Sequence, residues 1–119
     1  MSSITTGMHV CYLLLTDGST VCNPLHPAVL RLIRQTVEAA SGKWVGVCGE
    51  LAGEASATAL LIGLGVRELS MAPLRVPTVK AAVRQTNAAK ARELADRAVR
   101  LAGADEVRLL LRGAALSPI

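Results

Sequence analysis

Apolar positions along this chain fall into two rhythms. Three short stretches, His9 to Leu15, Trp44 to Cys48 and Val66 to Met71, are rich in β-branched and aliphatic residues and read as strands. The first ends in the turn cluster Thr16-Asp17-Gly18-Ser19. The second has no polar alternation, which predicts a strand covered on both faces, as in a parallel sheet. The two-residue period puts Trp44, Gly46, Cys48 and Glu50 on one face of it and Val45 and Val47 on the other.

The other rhythm is helical. Val29, Leu30, Ile33, Val37 and Ala40 share one face of a helix that opens at Pro27 and runs to about Ala40, with Arg31, Arg34 and Glu38 off that face. Proline suits the first helical turn, where its missing N–H has no partner to lose. Ser41-Gly42-Lys43 closes the helix, Gly42 serving as its C-terminal glycine. Residues 55–62 form a short helix broken by Gly63 and Gly65. Pro77 opens another through Gln85. Asn87 caps a longer one from Ala88 to Leu101, with the stripe Ala91, Leu94, Ala95, Ala98 and Leu101. Glu93/Arg97 and Asp96/Arg100 have the spacing of intrahelical ion pairs. After Gly103 a last helix spans Ala104 to Arg112, followed by an apolar, irregular tail over residues 113–119.

The order is therefore β, α, β, α, β and then three helices. This predicts an α/β fold with a small parallel sheet and right-handed crossovers. Three strands leave two open edges, and strands of buried type at an edge invite association.

Composition narrows the picture. The 119 residues suffice for one small domain, and 51% are hydrophobic, with one Trp, one Tyr and no Phe. The core must be aliphatic. The net charge of +4 raises nucleic-acid binding, but the basic residues alternate with acids along helices, as at Arg92, Glu93, Asp96, Arg97 and Arg100. No aromatic residues interleave to stack bases, so a solvated helix face is the better reading. Cys11, Cys22 and Cys48 give an odd count without paired spacing, against a disulfide framework and against a zinc site. The first thirty residues hold no Lys or Arg, so no basic signal region is expected, and no apolar run is long enough to span a membrane. A reduced, cytoplasmic protein is expected.

The chemistry concentrates in Val45-Gly46-Val47-Cys48-Gly49-Glu50-Leu51-Ala52-Gly53-Glu54. A strand here delivers a thiol to the rim of a sheet. Taken alone, Cys48 reads more readily as a structural thiol than as a reactive one.

Further residues resolve its meaning. Asn23-Pro24-Leu25-His26-Pro27 with Leu30-Arg31-Leu32-Ile33, the Val45 to Glu54 run, Leu61-Ile62-Gly63-Leu64-Gly65, and Glu68-Leu69-Ser70-Met71 occur in this order. Together with Asn87 to Leu111 they closely resemble enzyme I of the bacterial sugar phosphotransferase system, a phosphoenolpyruvate-protein phosphotransferase. The resemblance covers residues 23 to about 111. Pyruvate phosphate dikinase has a related Cys-Gly-Glu segment, but the Leu-Ala-Gly continuation is more like enzyme I.

The resemblance implies the last quarter of a (β/α)8 barrel with its site at the C-terminal ends of the strands. Cys48 would sit on strand seven and Leu69 to Met71 on strand eight, and the missing strands would be completed by another chain or by oligomerisation. The chain then divides into a divergent segment over residues 1–22 with one candidate strand, a barrel fragment over 23–112 and a tail over 113–119. In the family, the cysteine at the position of Cys48 protonates the enolate methylene carbon left after phosphoryl transfer. A thiol with an ordinary pKa near ~8.5 is mostly protonated at neutral pH and can donate. Gly49 and Gly53 let backbone approach a small anion, and Gly49 and Glu50 are the candidate substrate contacts.

The family uses Mg²⁺, passes its phosphoryl group from a histidine to a histidine-containing phosphocarrier protein, and forms homodimers through its C-terminal domain. Its magnesium ligands and phosphate-gripping arginines precede the matched region. Residues 1–22 depart from the pattern, and neither His9 nor His26 matches the phosphorylated histidine. His26 is expected to organise the helix start, Glu50 and Glu54 to be loop carboxylates, Arg67, Arg75 and Arg84 to be surface residues, and Met71 to be core. The expectation is a partial phosphoenolpyruvate-binding domain that carries the proton donor and is inactive alone. The rival reading is a non-catalytic assembly or interaction module derived from that domain. Nucleic acid is not an expected partner under either reading.

Overall fold

The computed structural model describes residues 8–9 and 23–116. The predicted strand residues 10–15 and the thiols of Cys11 and Cys22 lie outside the described residues.

Three strands, β1 (Met8–His9), β2 (Val45–Cys48) and β3 (Glu68–Ser70), form one sheet in that order, all parallel. The registers are Met8 to Val45 and His9 to Gly46 on one side of β2, and Gly46 to Glu68, Val47 to Leu69 and Cys48 to Ser70 on the other. The α/β expectation holds. Each parallel step needs a crossover. Helix α1 (Pro27–Ala39) precedes β2, and α2 (Thr58–Gly63) supplies the crossover to β3.

Helix α1 forms where the pattern put it. His26 Nδ1 accepts a hydrogen bond from the Ala28 N–H at 3.1 Å, and Pro27 takes the first turn. Leu30, Ile33 and Ala40 are buried and Val29 and Val37 pack at the edge of the core. Full burial of a Leu or Ile side chain contributes about 1.5–3 kcal/mol. The exit uses two left-handed residues, Ser41 (φ 51°) and Gly42 (φ 84°), so the expected glycine is joined by a serine in the same conformation.

Beyond β3 the chain is helical. Helices α3 (Val76–Gln85), α4 (Ala88–Ala98) and α5 (Ala104–Leu116) follow. Asn87 caps α4, its Oδ1 accepting from Ala89 N and Lys90 N at 3.0 and 3.1 Å. Gly63 lies so close to α4 that a methyl group added to it would meet the Ala91 carbonyl oxygen at 2.0 Å. The small residues Gly63, Ala91 and Ala95 let α2 and α4 approach at backbone distance. The core is aliphatic, as the absence of Phe required, and runs from Leu30 and Val47 through Leu60 and Leu61 to Leu94 and Val107.

Several expectations are corrected. β2 is not covered equally on both faces: Val45 and Val47 are buried, whereas Gly46 and Cys48 are half-buried and Trp44 is 53% exposed. The described helices shield one side of the sheet more than the other. The single helix expected over 55–62 is a 3₁₀ turn, Ala55–Ala57, followed by α2. Helix α4 ends at Ala98, not Leu101, and α5 continues to Leu116, past Arg112, so the residues just after Arg112 are not irregular. Asp96 pairs with Arg34 on α1 at 2.5 Å and not with Arg100.

Candidate active site at the strand ends

Parallel strands bring their C-terminal ends to one rim, and that rim collects the predicted chemistry. Cys48 is the last residue of β2, the central strand. Its thiol is half-buried. The chain turns at once through Gly49, whose φ of 114° lies in the left-handed region open to glycine. The Gly49 N–H donates to the Ser70 carbonyl at 3.1 Å, so the turn stays tied to β3. Glu50 is exposed and leads into a 3₁₀ turn, Leu51–Gly53, whose three residues are buried. Cys48, Gly49 and Glu50 are thus displayed together on a short loop held between the sheet and a buried turn.

The register builds two rows on the more open face. Cys48 stands beside Ser70, and Gly46 stands beside Glu68. The Glu68 side chain lies over the glycine: a methyl group on Gly46 would be 3.2 Å from Glu68 Cβ and 3.3 Å from its Oε2. Sequence reading missed this carboxylate. The signal was present, since Gly46 and Cys48 are two apart, as are Glu68 and Ser70, but using it needed the pairing register.

A second approach comes from beyond β3. A methyl group on Gly53 would touch Arg75 Cγ and Met71 Cβ, each at 3.4 Å. The stem of Arg75 and the side chain of Met71 therefore pack on the turn that follows Cys48. Arg75 was expected at the surface, and it is exposed, with its stem held. Met71 is half-buried at this rim and not deep in the core.

Other candidates lie elsewhere. His26 caps α1 as expected. Arg67 is exposed at the opposite end of the sheet, its N–H donating to Val45 O at 3.0 Å. Arg84 is exposed in the last turn of α3, and Glu54 is half-buried just after the 3₁₀ turn. Among the described residues no group of three or more His, Cys, Asp or Glu side chains is gathered closely enough to hold a metal ion. None of the described helices is long and apolar enough to cross a membrane.

A thiol on a strand end, a glycine turn and a carboxylate in this order can be compared with known proteins. The sequence profile of the PEP-utilising enzymes, PEP-binding domain, matches residues 15–88. The chain belongs to this family. Its resemblance to individual PEP-utilising enzymes is high. It is 46% identical over 95 residues to the phosphoenolpyruvate-protein phosphotransferase of Haemophilus influenzae, covering 78% of this chain and 16% of that protein. It is 53% identical over 87 residues to the protein of the same name from Haloferax volcanii, covering 71% of this chain and 15% of the other. It is 47% identical over 95 residues to a multiphosphoryl transfer protein of Escherichia coli, covering 78% and 11%. The chain spans about a sixth or less of the length of these relatives. The matched residues include β2, the Cys48-Gly49-Glu50 loop and β3, so the family assignment falls on the strand-end rim.

Proposed function

We propose that this chain is a partial phosphoenolpyruvate-binding domain of an enzyme I-like phosphotransferase, with Cys48 as its proton donor. The observation that carries the reading is the half-buried thiol at the C-terminal end of the central parallel strand. That is where α/β barrels present reactive groups. On this reading the three strands are the last part of a (β/α)8 barrel, and the more accessible face carrying Gly46, Cys48 and Glu68 turns toward its interior.

The step assigned to Cys48 balances simply. Phosphoryl transfer from phosphoenolpyruvate to a protein histidine breaks the P–O bond and leaves the enolate of pyruvate. As the oxyanion re-forms the carbonyl, the enolate π pair takes the thiol proton to form a C–H bond at the methylene carbon, giving pyruvate and a thiolate. Water then returns a proton to sulfur. Gly49, with its left-handed turn, and Glu50 border the substrate. Mg²⁺ and the phosphate would be held by residues from outside this chain, and the phosphocarrier protein would receive its phosphoryl group from the complete enzyme. Completion of the barrel by strands outside residues 1–119, in the cytoplasm, belongs to the same proposal.

The chain alone is then inactive. Calorimetry with phosphoenolpyruvate and Mg²⁺ tests this: no saturable heat is expected up to about 1 mM ligand, a level that corresponds to less than about 4 kcal/mol of binding. Micromolar binding by the isolated chain contradicts the incomplete site. Among the described residues no strand pairs with the outer edge of β3, which supports the assembly-module reading as the second choice, and Glu68 and Ser70 on that strand are exposed. A monodisperse monomer in sedimentation speaks against it.

A further inference from the structure

The stretch from Leu69 to Arg92 contains no Asp or Glu and carries Arg75, Lys80, Arg84, Lys90 and Arg92. Within it, α3 is anchored by a single buried side chain, Val79 at 3% exposure. At about 100° per residue, Val83, Val76, Lys80 and Arg84 fall in one arc roughly 100° wide next to that anchor. All four are exposed, and the 3₁₀ turn before the helix, Pro73–Arg75, adds Arg75 and Leu74, which is 93% exposed. Exposed leucine and valines thus stand among three cations with no acid in the segment to neutralise them.

We propose that this stripe is a docking surface for the acidic, apolar-studded face of a partner protein. A centre of aliphatic side chains with a charged rim is the anatomy of a protein–protein interface, and arginine is favoured there. The unneutralised charge selects an acidic partner and speeds its approach. Nucleic acid fits less well, because the segment has no aromatic side chain on which a base could stack. A membrane surface fits less well, because the helix spans ten residues and brings no Trp or Phe to the interface. Arg75 also packs on the turn after Cys48, so the stripe borders the strand-end rim, but docking needs no thiol chemistry.

The test uses the whole chain and a fluorescein-labelled helical peptide of about 20 residues, with Leu along one face flanked by Glu. Anisotropy should show saturable binding with a Kd on the order of 10 µM. Lys80→Glu with Arg84→Glu should weaken it at least about tenfold, and Val76→Ser with Val83→Ser by a similar factor. All four positions are exposed, and far-UV circular dichroism checks that both variants keep their helices. Absence of saturation overturns the proposal, as does equal binding by both variants. Equal binding of an equally acidic scrambled peptide removes the apolar component and overturns it too. Tighter binding to phosphatidylserine vesicles or to single-stranded RNA, lost in the same variants, assigns the stripe to another class of partner and also overturns it.

Discussion

Thr58 is 1% exposed, and among the described residues its hydroxyl has no hydrogen-bond partner. A buried hydroxyl without a partner costs about 1–3 kcal/mol by mutational comparison. Thr58→Val keeps the shape and removes the orphan, so urea unfolding should show stability raised by about 1 kcal/mol. Unchanged or lower stability would mean that the hydroxyl is satisfied. Asn87 presents the opposite case, since its side chain accepts two backbone N–H groups. Asn87→Ala should lower stability by about 1 kcal/mol in the same measurement. The residue scale also shows what periodicity conveys. Asn87 and His26 were readable as helix starts from their local neighbours. The orphaned hydroxyl was not, because Thr58 sits in a run of Ala and Leu that says nothing about partners.

At the scale of elements, the tightest feature is the contact of α2 with α4. Gly63→Ala would push a methyl group against backbone, which cannot yield as a flexible side chain can. Overpacking of this kind costs about 1–3 kcal/mol or more, which lowers Tm by roughly 10 °C in a domain of this size. Gly103→Ala is the control, because nothing lies within 4 Å of its added methyl group. Equal effects of the two substitutions would remove the close approach from the account. Element existence was legible because α1 and α4 carry clear apolar stripes. The ends were not. Gly113 resembles a helix end, yet α5 passes through it, since Leu111 is buried and Ala114 packs against the core on the far side. The short 3₁₀ turns at Leu51–Gly53 and Pro73–Arg75 have too few residues to show any periodicity.

At the scale of the molecule, contacts between distant residues decide what the sequence pattern leaves open. Asp96 has the spacing for Arg100 on its own helix and instead meets Arg34, 62 residues away, joining α4 to α1. The pair is partly exposed, so a double-mutant cycle should give a coupling of no more than about 1 kcal/mol, shrinking with added salt. The site shows the same division. Its loop, Cys48-Gly49-Glu50, was legible as a local motif, whereas the approach of Glu68 over Gly46 and of Arg75 onto Gly53 depends on how β3 and the turn after it sit beside β2. Under the proposed function, the thiol on this rim is a proton donor awaiting the rest of its site. Its most direct measurement places this chain's matched segment into the Haemophilus influenzae phosphoenolpyruvate-protein phosphotransferase and follows pyruvate release from phosphoenolpyruvate. The chimera with Cys48 should turn over, and Cys48→Ala should slow pyruvate release by about 10² or more, the range for loss of a general acid. An alanine chimera that releases pyruvate as fast as the cysteine one would contradict the account.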